Sequence, residues 1–82
     1  MTEQNLIQLG FKKNEVTAQE SGSDYFYYYT FDIGSIALIT KESTSVIADN
    51  WSVFLFDFLD VEIYDYDSVK TLIDIFIQNQ IK

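Results

Sequence analysis

The spacing of apolar residues changes period along the chain, and the changes mark out predicted elements. Residues 24–33 (Asp-Tyr-Phe-Tyr-Tyr-Tyr-Thr-Phe-Asp-Ile) are dominated by types that suit a pleated surface, which predicts a strand. Alternation sets Tyr25, Tyr27, Tyr29, Phe31 and Ile33 on one face and Phe26, Tyr28, Thr30 and Asp32 on the other. Both faces are substantially apolar, so the strand is expected to be central or covered on one side by a partner. Gly34-Ser35 predicts a hairpin turn, with residues 36–40 returning antiparallel. Upstream, Thr2 can cap a short helix whose apolar residues are Leu6, Ile7 and Leu9, and Gly10 stands where a glycine ends helices. Residues 11–18 read as a first, more polar strand and residues 19–23 as a turn.

The second half begins with a polar loop, residues 41–45, expected to be the most mobile tip. A short strand is expected at 46–48, before a turn at Asp49-Asn50. One long strand is expected at 51–58, where Trp51, Val53 and Leu55 alternate with Phe54, Phe56 and Phe58. A bend at Leu59-Asp60 leads into a short continuation at 61–63. From residue 66 to 81 the period becomes helical. Val69, Leu72, Ile73, Phe76 and Ile77 form one stripe, and Asp65 or Asp67 can cap it. The pattern predicts a single small α+β domain over residues 1–82. Its architecture is an antiparallel four- to five-stranded meander flanked by a short N-terminal helix and a longer C-terminal helix.

Composition narrows the chemistry. The 82 residues include 48% hydrophobic and 17% aromatic types, too many for a disordered acidic segment. There is no Cys, His, Pro or Arg. The usual general base at neutral pH, the thiol nucleophile, the common zinc ligands and the bidentate phosphate clamp are therefore all missing. Asp32 and Asp57, each within an apolar run, are the carboxylates whose burial would best suit acid–base work. The segment Asp65-Tyr66-Asp67-Ser68 starts like a calcium loop, but Lys70 and Phe76 fill the positions that need glycine and a bidentate glutamate. No enzyme activity, cofactor or metal is expected. The N-terminus carries acid where a signal peptide carries base, and no apolar run approaches a membrane span, so a cytoplasmic protein is expected.

Charge adds a direction. Thirteen acids against five lysines give a net charge of −8, and residues 42–82 hold net −6 of it. Asp57, Asp60, Glu62, Asp65 and Asp67 follow one another with no base among them. In extended chain, the pairs Asp60/Glu62 and Asp65/Asp67 each share a side about 6.6–6.8 Å apart, a row of charge resembling a nucleic-acid backbone. Direct binding of DNA or RNA is disfavoured, since phosphate neutralisation needs Lys and Arg. A basic protein is the expected partner. Two short helices cannot cover both faces of the sheet, so Phe26, Tyr28, Trp51, Phe54 and Phe56 are the expected aromatic anchors of that contact.

Leu9-Gly10-Phe11, the Ser21-Gly22 turn leading into Tyr27-Tyr28-Tyr29, the Trp51 strand and the closing amphipathic helix together resemble small acidic proteins of phages and mobile elements. Some proteins of that kind inhibit host defence, anti-CRISPR proteins among them, by binding nucleases through acidic or aromatic surfaces. The resemblance implies a phage-type inhibitor of a basic nucleic-acid-handling protein, and it carries over no functional residues. The alternative expectation is a structural or assembly protein that forms homodimers or larger assemblies through its aromatic sheet face.

Overall fold

The tyrosine-rich run is the spine of the structure, a computed structural model that describes residues 1–22 and 24–79. It forms strand β2, Phe26–Ile33, flanked by β1, Lys12–Val16, and β3, Ile36–Thr40. Strands β4, Val53–Leu55, and β5, Phe58–Ile63, complete an antiparallel meander in the spatial order β1-β2-β3-β4-β5. Helix α1, Glu3–Leu9, precedes the sheet, a single helical turn α2, Ala18–Ser21, links β1 to β2, and helix α3, Tyr66–Gln78, closes the chain. The expected α+β meander, with its short leading and longer closing helix, is the observed architecture.

Local chemistry sets the element ends. Thr2 and Asn5 form a reciprocal capping box at the start of α1, each side chain accepting from the other residue's backbone N–H. Gly10 ends the helix at φ +98°, donating its N–H to the Ile7 and Leu6 carbonyls. Asp65 caps α3 by accepting from the Ser68 N–H at 3.0 Å. Helix α3 ends at Gln78; the part of the expected helix beyond Asn79 lies outside the described residues.

Both longer helices lie on one face of the sheet. Leu6 from α1 and Val69 and Ile73 from α3 pack with Tyr29, Leu38 and Val53 in a single core that also takes in Phe11, Ile33 and Trp51. Strand register then assigns the opposite face. Tyr28 lies across from Asn14, Thr30 from Ile39, and Ile39 from Phe54, all on the side without helices.

Two local expectations are corrected. Residues 51–58 are not one strand: the chain turns at Phe56 and Asp57, and Leu55 pairs with Phe58. No glycine marks this turn. It is held in part by the Phe56 N–H, which donates to the Ala37 carbonyl at 2.9 Å. Residues 46–48 do not form a strand either. Ala48 and Asp49 adopt φ of +53° and +58°, and the Asp49 carboxylate accepts from the Glu3 N–H and the Trp51 indole. The polar loop at 41–45 has local structure of its own. It forms a short 3₁₀ turn, Ser43–Ser45, and the Ser43 hydroxyl accepts from the Tyr27 N–H at 3.0 Å. The Thr40 hydroxyl accepts from the Tyr29 N–H in the same way, extending the β2 ladder beyond the last β3 residue that pairs with it.

Candidate functional site

An apolar groove of about 520 Å³ crosses the helix-free face of the sheet. Each strand contributes to it: Val16 from β1, Phe26 and Tyr28 from β2, Ile39 from β3, Phe54 from β4 and Leu59 from β5, with Lys41 and Glu42 at one polar end. Alternation explains the floor, because Phe26 and Tyr28 point away from the buried Tyr29. Leu59 arrives by a different route. Between the pairs Leu55–Phe58 and Phe54–Glu62, residues 59–61 have no opposite residue on β4, so the strand bulges there. Leu59 remains 62% exposed while lining the groove.

The five expected aromatic anchors separate into three groups. Phe26, Tyr28 and Phe54 line the groove together. Phe56 is exposed but sits in the β4–β5 turn, outside that lining. Trp51 is a correction: it is 3% exposed and belongs to the core. Its ring stacks on Tyr27 with centroids 5.9 Å apart and meets Tyr29 edge-on at 5.5 Å, while its indole N–H is satisfied by Asp49. Beside this cluster the Tyr27 and Tyr29 hydroxyls both donate to the Glu3 carboxylate, fastening α1 to β2. Burial, followed by those bonds to Glu3, pushes both phenols above the ordinary tyrosine range. Val16, Ile39 and Leu59 are groove residues that the sequence reading missed. The signal for Ile39 was available, since hairpin pairing through Gly34-Ser35 sets it opposite Thr30.

The acidic residues do not form one uniform row. Asp57 lies in the β4–β5 turn and Asp60 in the bulge, both exposed. Asp65 caps α3 and Asp67 is in its first turn, so this pair is not in extended chain as the two-residue repeat requires. Glu62 is engaged internally: it accepts from the Ser52 and Tyr64 hydroxyls and lies 3.4 Å from the Lys41 ammonium. The bond from Ser52, then that from Tyr64 and the nearby Lys41, hold its carboxyl below the ordinary glutamate range. Bonds from the Ser68 hydroxyl and N–H likewise lower Asp65.

Asp32 and Asp57 are both exposed. Among the described residues no group of three carboxylates is placed to hold a metal ion, and no helix is long and apolar enough to cross a membrane. No protein family, curated protein or solved structure matches the chain.

Proposed function

We propose that the chain is a non-enzymatic protein-binding module that engages a basic partner through the helix-free face of its sheet. The observation that carries this reading is the apolar groove across that face, in which three aromatic residues from two strands come together. The net charge of −8, with Asp57 and Asp60 exposed beside the β5 end of the groove, supports a basic partner over a neutral or acidic one. The finer reading is a cytoplasmic inhibitor of the phage type, occupying a basic surface that otherwise handles nucleic acid. A photo-crosslinking residue placed at position 28 tests the module in the native cell. Capture of a basic protein supports the reading, whereas the absence of any crosslinked protein refutes it.

A second reading, self-assembly, is favoured by one observation. Phe56 and Phe58 are 56% and 62% exposed at the tip of the β4–β5 hairpin, apolar knobs on a chain that also has an apolar groove. Sedimentation separates the two readings. A concentration-independent monomer removes self-assembly, and a dimer insensitive to salt supports it.

A further inference from the structure

Building on the reading of the helix-free face as a protein contact, we propose that the groove takes an amphipathic helix with basic flanks from the partner. The first argument is backbone satisfaction. The middle of the floor comes from β2, β3 and β4, each hydrogen-bonded to a strand on both sides, so the floor offers an incoming chain no ladder. The occupant must satisfy its own amides, and a helix does so.

The second argument is size. The lining spans five strands, which at the usual spacing is about 19 Å. Apolar residues at i, i+4, i+7 and i+11 of a helix cover about 16.5 Å, so three turns laid across the strands match the groove.

The third argument is charge. Glu42 borders the groove and Asp32 and Glu62 share the helix-free face, against Lys12, which lies across from Thr30, and Lys41, which is paired with Glu62. Lysine or arginine flanking the helix's apolar stripe complements this rim. The helix of a second copy complements it poorly. The exposed apolar residues of that α3 include Ile75 and Ile77, and it brings Asp67 and Asp74, with Lys70 alone to offset them, toward the same acids. The sheet edges are poor alternatives too. Lysines at 12 and 13 guard β1, and the bulge at residues 59–61 breaks the line of β5.

The test uses two labelled peptides of about 18 residues, identical in their leucine and lysine composition. One has the leucines in helical order and the other has them strictly alternating. Fluorescence anisotropy at low salt is expected to show the helical-order peptide binding the full chain at least about tenfold more tightly. Tyr28→Ser should weaken that binding about tenfold, and Ile75→Ser on α3 should leave it unchanged. Phe54→Ser replaces Tyr28→Ser if circular dichroism shows the latter unfolded. Equal or tighter binding of the alternating peptide, no binding of either, or indifference to the groove variant overturns the proposal. Crosslinking at position 28 is read separately: a captured partner combined with failure of the helical peptide removes the helix and keeps the binding module.

Discussion

The Lys41 ammonium lies 3.4 Å from the Glu62 carboxylate, joining the chain just beyond β3 to β5 across the three residues of β4. Ser52 and Tyr64 donate to the same carboxylate, so one side chain gathers both ends of the β4–β5 hairpin. These bonds lower the folded-state pKa of Glu62, which fixes the sign of its pH dependence. Its contribution to stability is complete above the ordinary glutamate value of 4.5 and is lost as pH falls through the lower folded value. Asp65, also lowered, acts in the same direction. Glu62→Gln is expected to cost about 1 kcal/mol at pH 7 and to flatten the acid side of the stability profile. Urea unfolding at a series of pH values from neutral downward checks this, and an unchanged acid slope in the variant contradicts it.

Trp51 provides an internal reporter of the core. Because its ring is packed against Tyr27 and Tyr29, Trp51→Ala should destabilise the protein by about 3–5 kcal/mol. In the wild-type protein, soluble quenchers should barely reach the indole. A ligand seated in the groove should leave its emission unchanged, since the groove lies on the other side of the sheet. A large emission change on binding would place the contact on the helix-covered face instead.

Much of this fold can be read from residue order, and the failures have physical causes. The β2–β3 hairpin is legible because Gly34-Ser35 interrupts two strand-forming runs, and α3 because its stripe repeats at helical spacing. The turn at Phe56-Asp57 is not, because it lies inside a run of strand formers and is held by long-range pairing, including the Phe56 bond to Ala37. The groove is half legible. Parity already divides Trp51, Val53 and Leu55 from Phe54, so Trp51 and Phe54 cannot both lie on one flat face. Which set the helices cover is decided by where Leu6, Val69 and Ile73 dock, and that is a tertiary outcome.

Two glycines with similar backbone angles are expected to respond differently to the same substitution. Gly10, at φ +98°, approaches Phe31 closely enough that an added Cβ would lie 3.3 Å from the ring. Gly22, at φ +74°, has nothing within 4 Å of that position. Gly22→Ala should therefore cost only the left-handed backbone penalty of about 1 kcal/mol. Gly10→Ala adds crowding of a ring that packs against Phe11, and should cost distinctly more. Thermal or urea unfolding of the two variants ranks them, and equal costs would show that Phe31 yields freely.

Neighbouring residues Val53 and Phe54 face opposite sides of β4, one fully buried in the core and one in the groove. Val53→Ala should lose about 2–3 kcal/mol of stability. Phe54→Ser, larger in volume change, should lose only about 1 kcal/mol, because its side chain is half-buried on the helix-free face. Binding of the basic helical peptide should follow the reverse order, weakened by Phe54→Ser and little affected by Val53→Ala while that variant remains folded. Paired measurements of unfolding and peptide affinity decide the matter. Loss of both properties in Phe54→Ser would make that residue part of the core instead.

Asp57, in the β4–β5 turn, and Asp60, within the bulge that carries Leu59 into the groove lining, are both exposed, which suits them to steering more than to anchoring. Charges of this kind act while partners approach, and salt screens them over about 10 Å at 0.1 M. The double substitution Asp57→Asn with Asp60→Asn should leave folding stability within about 0.5 kcal/mol of wild type. It should slow association with the basic peptide and flatten the salt dependence of that rate, with little change in dissociation. Stopped-flow mixing across a range of salt concentrations separates the two rates. If dissociation accelerates instead, these carboxylates hold the bound partner directly, and the contact extends past Leu59 onto the hairpin.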